Sequence, residues 1–322
     1  MTTPPPGKLA VLLTAAGIAL AGFASMALGA YWASTAPARA EWEAAAAHVR
    51  AGLAPGDAIA VAPWWADEAR LALGDGPVLA LPDIAGEVAA GGLWRYRRLW
   101  LVAAPGLGSG AGRAGDRIAA LRSERPEGRA RFGRVEVRLF ELGATPAPYD
   151  FLTGIASAEV WVEKGAAKVA DCAGALPGGT GFRCTPPAGD KLAHWAKVER
   201  RIREIDDAPR ECLEAHPWAG ASLVLRFPAV PLGRTLAIEG GIPLAALREL
   251  DRKDPAPVQL RAIVGGKDLG LFSFPTAPGW TRLRLDTTGV APPGSAADVT
   301  FRVAAPDIEW RFFCFTAHTE GA

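Results

Sequence analysis

The sequence predicts an α+β multidomain chain: an N-terminal transmembrane helix, a small Rossmann-like α/β domain and a C-terminal jelly-roll-like β-sandwich. Three observations predict it. Leu9 to Trp32 runs for 24 residues without a charge. Between residues 53 and 142, short and continuously apolar runs alternate with helical stretches, the pattern of strands covered on both faces. From residue 151 the runs shorten and alternate, with Pro, Gly or Asp between them about every eight to twelve residues, as in a two-sheet sandwich.

Residues 1–8, with Pro4-Pro5-Pro6, read as a cytoplasmic tail, and 9–33 as the membrane helix. At about 1.5 Å per residue the uncharged run is about 36 Å long, enough to cross a hydrocarbon core of about 30 Å with some tilt. The rival is a cleaved signal peptide, because Ala38-Arg39-Ala40 offers a small-x-small site before Glu41. Signal-peptide cores are usually about 7–15 residues long, so an uncleaved anchor is expected. Lys8 lies on the short side, while Arg39, Glu41, Glu43 and Arg50 follow the helix. The positive-inside rule then places the bulk of the chain outside the cytoplasm. The expected location is the inner membrane, single-pass, with the C-terminal domains periplasmic.

Glu41–Ala51 is a helix by propensity, stopped by Gly52. Asp57–Ala62, Pro77–Leu81 and Arg98–Ala103 are apolar strands of an expected parallel sheet, with a helix at Trp64–Leu73. Gly106–Gly112 reads as a glycine-rich loop, Arg113–Glu124 as a helix, and Arg134–Leu142 as an alternating edge strand. The α/β domain is thus 41–142, followed by a linker at 143–150 (GATPAPYD) and the sandwich at 151–322.

In the sandwich, strands are expected at Ala158–Glu163, Lys168–Cys172 and Gly181–Cys184, the last two flanking the turn Pro177-Gly178-Gly179. In Lys191–Ile205, Val198, Ile202 and Ile205 sit at helical spacing, yet Pro209 follows closely, and a hairpin turning at Asp206-Asp207 with Arg210–Ala215 as its return strand is preferred. Further strands are Ser222–Phe227, Thr235–Glu239, Val258–Val264, Leu269–Phe274, Thr281–Asp286, Asp298–Val303 and Glu309–Thr316. The basic run Lys197–Arg203 is interleaved with Glu199 and reads as a solvated face.

The four cysteines, Cys172, Cys184, Cys212 and Cys314, are even in number, lie in the second half and lack metal or redox spacing. In an oxidising compartment Cys172–Cys184 closes a short loop, and Cys212–Cys314 ties a middle strand to the last one. The alternative is four buried thiols in a cytosolic domain. With 35 basic and 34 acidic residues, the net charge of +1 offers no nucleic-acid footprint.

Two stretches carry resemblances. From Trp42 through Pro55-Gly56-Asp57-Ala58-Ile59-Ala60-Val61 to Arg98-Leu99-Trp100-Leu101-Val102, the chain resembles an extracytoplasmic α/β segment. That segment follows the last membrane helix in multispanning, lipid-phosphosugar-dependent glycosyltransferases of the protein-mannosyltransferase type. Those enzymes hold their catalytic acid in a loop between membrane helices, and this chain has one such helix, so no catalytic residue carries over. From His216-Pro217-Trp218 through Gly279-Trp280 to Phe313-Cys314-Phe315, the layout is similar to galactose-binding-like sandwiches. That resemblance implies a fold that often binds glycans.

Candidate chemistry is sparse. Gly106-Leu107-Gly108-Ser109-Gly110-Ala111 fits the G-x-G-x-x-A pattern whose backbone amides hold a phosphate. It follows the third strand instead of the first, and no acidic residue ends a strand about 20 residues on. A flexible βα loop is therefore the expectation, with no cofactor. Trp64 and Trp65 lie past the end of the first strand, where open α/β sheets place ligands, with Asp83 and Gly106, Gly108 and Gly110 at neighbouring strand ends. The tryptophans suit stacking on sugar rings, and equally plugging the sheet top or docking the anchor; the structural role is expected. His48, His194, His216 and His318 are isolated, no metal-ligand spacing or G-x-S-x-G elbow occurs, and no catalytic residue is assigned. Asp206-Asp207 is read as a turn, and His216 as structural at the sandwich rim.

The expected function is a non-catalytic, membrane-anchored accessory that binds a glycan or envelope-assembly partner, such as envelope glycosylation machinery. One alternative is an enzyme acting on a sugar or sugar lipid at the α/β crevice. Another is a structural partner of a multispanning membrane protein.

Overall fold

The computed structural model describes residues 8–74, 78–79, 81–89, 91–143, 147–172, 174–176, 180–185, 197–205, 208–218, 220–250, 256–306 and 312–321. The chain divides into two compact units, Met1–Gly143 and Ala144–Ala322.

The first unit begins with helix α1, Lys8–Thr35. Leu13, Ile18, Leu20, Phe23, Met26, Leu28 and Tyr31 are each 57 % to 76 % exposed, and together they cover every side of it. A helix whose apolar stretch is exposed all round belongs in lipid. Among the described residues it is the one helix long and apolar enough to span a membrane, with a mean hydropathy of 1.7 over its 18-residue apolar stretch. Ala36-Pro37-Ala38 break the helix, and α2 (Arg39–Gly52) restarts it. The Glu41 carboxylate accepts from the Ala38 N–H at 3.0 Å, which satisfies a donor at the helix start.

The sheet of this unit contains β1 (Asp57–Ala62), β2 (Val78–Leu79), β3 (Arg98–Ala103), β4 (Glu124–Phe132) and β5 (Val135–Glu141), in the order β2-β1-β3-β5-β4. Helices α3 (Asp67–Leu73), α4 (Ile84–Ala89) and α5 (Ser109–Ala119) connect them. All six residues of β1 are buried. Trp42, Ala45 and Val49 of α2 pack with Ile59, Val61, Trp100 and Val102 on one face. Ala58, Ala60, Leu99 and Leu101 point the other way, and Ala111, Ala114 and Ile118 of α5 are buried too.

Several expectations are corrected here. The sheet is mixed: β1, β2 and β3 run parallel, but β5 is antiparallel to β3 and to β4. The strand expected at an edge, β5, is therefore internal, and the unexpected β4 is the edge. Of the Pro77–Leu81 run, Val78–Leu79 is strand, and residues 77 and 80 lie outside the described residues. Helix α3 starts at Asp67 instead of Trp64, with Asp67 and Glu68 at its positive end. Stretch 106–112 is not a loop: Pro105–Leu107 make a 3₁₀ turn and α5 begins at Ser109, four residues earlier than expected.

The second unit is a two-sheet antiparallel sandwich, as the punctuated strand pattern requires. In chain order it contains β6 (Glu159–Lys164), β7 (Ala167–Asp171), β8 (Gly174–Ala175), β9 (Gly181–Arg183), β10 (Lys197–Ile205) and β11 (Ala208–His216). There follow β12 (Ser222–Pro231), β13 (Thr235–Gly241), the short helix α6 (Leu244–Leu250), β14 (Val258–Val264), β15 (Lys267–Phe274), β16 (Thr281–Asp286), β17 (Ala296–Ala304) and β18 (Phe313–Glu320). One sheet runs β16-β13-β18-β11-β10-β9-β8 and the other β15-β14-β17-β12-β6-β7. Phe301 of β17 meets Phe315 of β18 across the layers at 5.5 Å, while Phe151 packs on Phe227 at 4.9 Å. The hairpin β10–β11 pairs Ile205 with Ala208. Its tip, Asp206-Asp207, lies outside the described residues, as do Pro177-Gly178-Gly179 and His194.

Disulfides join Cys172 to Cys184 and Cys212 to Cys314. The first links the end of β7, in the six-stranded sheet, to the end of β9 in the seven-stranded one. The second links β11 to its neighbour β18.

Candidate functional site

The strand order of the first unit reverses at β1: β2 lies on one side of it and β3 on the other. In open α/β sheets such a switch point leaves a crevice beyond the strand ends. A crevice of about 430 Å³ lies there, lined by Val61, Ala62, Pro63, Trp64, Trp65, Leu81, Pro82, Asp83, Ile84, Leu107, Gly108, Gly110, Ala111, Ala114 and Arg117.

Each wall has a local cause. After β1 the cis peptide Ala62–Pro63 leads into a turn carrying the two tryptophans, and Trp65 is 50 % exposed. Beyond β2, Asp83 caps α4: its Oδ1 accepts from the Gly86 N–H at 3.1 Å. A Cβ at Gly86 would lie 2.5 Å from an Asp83 carboxylate oxygen, so glycine lets that carboxylate sit close over the start of α4. After β3, Gly108 sits at φ +156° and ψ +153°, a conformation open almost only to glycine, and α5 starts immediately behind it. Gly110, Ala114 and Arg117 then follow at i, i+4 and i+7 along one face of α5.

Arg117 forks onto Asp83, with Nη1–Oδ1 at 2.9 Å and Nη2–Oδ2 at 3.3 Å, and both side chains stay more than half exposed. Burial pushes the Asp83 carboxyl up, but the Arg117 guanidinium and the Gly86 N–H outweigh it and hold it below the usual carboxylate range. Asp83 therefore stays ionised and hydrogen-bonded at neutral pH. Such a group accepts hydrogen bonds well and is badly matched to proton transfer near pH 7. The crevice combines indole faces, small apolar walls and one bidentate charged pair. That combination suits a ligand with one apolar face and several hydroxyls.

Of the six residues singled out by sequence, the structure brings Trp64, Trp65, Asp83, Gly108 and Gly110 together in this crevice. Gly106 does not line it: it turns toward the C-terminal end of α1, where a Cβ would lie 3.4 Å from the Thr35 carbonyl. Arg117 escaped sequence reasoning. Its signal is the i, i+4, i+7 spacing from Gly110, which is visible only once α5 starts at Ser109.

The remaining candidates sit apart. His48 packs edge-on to Trp100, with ring centroids 5.9 Å apart, and His318 contacts Glu320 at 2.8 Å. His216 is buried at 3 % exposure beside Phe312. Among the described residues no group of three His, Cys, Asp or Glu side chains is placed to hold a metal ion. The run Lys197–Arg203 is solvated only in part: Arg201 and Ile202 are exposed, while Val198 and Glu199 are buried. Strand alternation puts Lys197, Glu199, Arg201 and Arg203 on one side of β10, where Arg203 pairs with Glu214, Lys197 with Glu199, and Arg201 with Glu199.

No protein-family model matches the chain, and no curated protein matches it either. Solved structures match parts of it weakly. The CBM51-2 and INT domains of Clostridium perfringens ZmpB match at 12 % identity over 37 % of this chain and 25 % of theirs, with a TM-score of 0.26. A carbohydrate-binding module, CBM36, in complex with calcium and xylotriose matches at 11 % over 38 % of this chain and 91 % of its own, with a TM-score of 0.22. A structure of promiscuous carbohydrate-binding modules from the β-sandwich superfamily matches at 12 % over 57 % of this chain and 65 % of its own, with a TM-score of 0.26. The chain thus covers a quarter of the length of the first of these. Likenesses so distant say nothing of what this chain binds.

Proposed function

We propose that the chain is a membrane-tethered, extracytoplasmic binding protein whose α/β crevice takes a sugar. The observation that carries this reading is the crevice itself, with Trp64, Trp65, Asp83 and Arg117 converging at the switch point. An indole face packs on the C–H face of a pyranose, and a fixed carboxylate–guanidinium pair serves vicinal hydroxyls as acceptor and donor. Binding is favoured over catalysis because Asp83 and Arg117 are the ionisable side chains of the lining, and each satisfies the other. The extracytoplasmic placement is supported by Lys8 ahead of the membrane helix and by two disulfides, which persist in oxidising compartments.

The test is calorimetric titration of the detergent-solubilised full chain with a panel of soluble neutral oligosaccharides, with chromatography of the mixtures. Saturable binding without new products is expected for at least one of them. Trp65→Ala should weaken it about tenfold, the equivalent of one lost aromatic contact of about 1.4 kcal/mol. Turnover of the sugar would move the reading to an enzyme, and no saturation with any member of the panel would overturn it.

A further inference from the structure

The crevice is built against the end of the membrane helix. Tyr31, 60 % exposed, lies near the end of the uncharged run of α1, and Thr35 ends the helix about 6 Å further along. Aromatic residues at the end of a span mark the membrane–water boundary, so Thr35 stands at the level of the lipid headgroups. The joint beyond it is pinned to the α/β unit. Arg134 donates from Nη1 to the Ala36 carbonyl at 2.8 Å, and the Pro105–Leu107 turn abuts the helix end, with Gly106 facing the Thr35 carbonyl. The next two residues, Leu107 and Gly108, line the crevice. At about 3.8 Å per residue, the lining begins within about 8 Å of the residue that leaves the bilayer.

Charge narrows the ligand further. Asp83 and Arg117 supply opposite charges to the lining and are fused into one pair, so the crevice carries no net charge from its side chains. An anionic headgroup would meet the Asp83 carboxylate next to Arg117, whereas an uncharged polyol has no such conflict. From the position of the crevice and the charge of its lining we infer that it takes the uncharged sugar headgroup of a glycolipid in the same bilayer. This rests on the reading that the crevice holds a sugar, and it adds that the sugar arrives attached to lipid. Confinement of both partners to one membrane raises the effective concentration of the headgroup at the crevice.

The full chain, labelled with 5-fluorotryptophan, is placed in phosphatidylcholine nanodiscs, and the Trp65 fluorine resonance is assigned from the Trp65→Phe variant. Monohexosyl diacylglycerol, phosphatidylglycerol or soluble methyl hexoside is then introduced at matched total concentration. The glycolipid should shift the Trp65 resonance saturably, and the soluble hexoside should need at least ten times the concentration for the same shift. Asp83→Asn keeps the cap on α4 while removing the carboxylate, and it should raise the half-saturating glycolipid fraction about tenfold, the loss of one charged hydrogen bond. Equal shifts from soluble and lipid-borne hexose would overturn the inference and leave the sugar reading standing. An equal shift from phosphatidylglycerol would overturn the uncharged headgroup. No shift from either hexose would remove both readings together.

Discussion

Asp57 opens β1 with only 4 % of its surface exposed, and four donors meet its carboxylate. Arg98 forks onto it at 2.8 and 2.6 Å, the Trp100 indole N–H donates at 3.0 Å and the Ala54 N–H at 2.9 Å. Burial pushes the carboxyl up, but Arg98, Ala54 and Trp100 together hold it below its ordinary value of 3.8. A carboxylate depressed in the folded state adds stability above its unfolded-state value and loses it as pH falls through the folded-state value. Asp57→Asn should therefore destabilise the first unit at pH 7 by about 2–3 kcal/mol, the scale of a buried charged hydrogen-bond set. In urea melts the gap between wild type and variant should close as pH drops below 3.8. A gap unchanged at acid pH would mean that Asp57 acts through packing. Nothing in the sequence announced this pair. Asp57 and Arg98 are 41 residues apart, and each appears there only as the first residue of an apolar run.

At the scale of elements, what was legible followed from periodicity, and what was missed lacked it. β14 (VQLRAIV) alternates buried and half-buried residues along its whole length, and its bounds match the sequence reading. β4 (ERPEGRARF) drew no strand assignment because it is a charged edge strand containing Pro126, with its register broken between Arg125 and Ala130. Edges tolerate such residues. Helices α4 and α6, of 6 and 7 residues, are too short to display a period. The ladder on β10 and β11 was misread in part for another reason: a basic run looks solvated until the partner strand supplies Glu211 and Glu214. Glu214 is wholly buried. The same region holds the disulfide with the larger closed loop. Cys212 and Cys314 are 102 residues apart, and Cys172 and Cys184 only 12. Chain-entropy values are about 4.7 kcal/mol for a loop of about 100 residues and about 3 kcal/mol for one of about 15. Cys212→Ala/Cys314→Ala should accordingly destabilise the second unit by about 1–2 kcal/mol more than Cys172→Ala/Cys184→Ala. Guanidinium melts of the two double variants decide it, and equal midpoints would show that loop length does not set their contributions.

Across the whole molecule, the change of grammar near residue 143 was visible because two physical regimes meet there: continuous apolar strands before it, alternating strands after it. The candidate crevice was partly visible for a similar reason. Strand ends can be located from sequence, so Trp64, Trp65 and Asp83 could be placed at one edge of a sheet. The face of a helix cannot be read until its first residue is known, which hid Arg117, and Gly106 lies in the 3₁₀ turn ahead of that helix and does not line the crevice. Membrane topology is the feature that composition alone determines most directly. Helix α1 carries exposed apolar side chains on every side and would not stay monomeric in water. Lys8 precedes it, and both disulfides lie on the other side. A chain inserted with residues 39–322 outside keeps Lys8 and the amino terminus inside and places both disulfides in an oxidising compartment. Externally added protease should then digest the two units in intact spheroplasts, and an alkaline phosphatase fused after Gly143 should be active. The digested units should carry both disulfides in non-reducing peptide maps. Amino-terminal sequencing of the undigested protein completes the test, because a mature chain beginning at Glu41 would mean that the helix is removed and the tether does not exist. Protection of the units in spheroplasts would reverse the orientation and leave the disulfides in a reducing compartment.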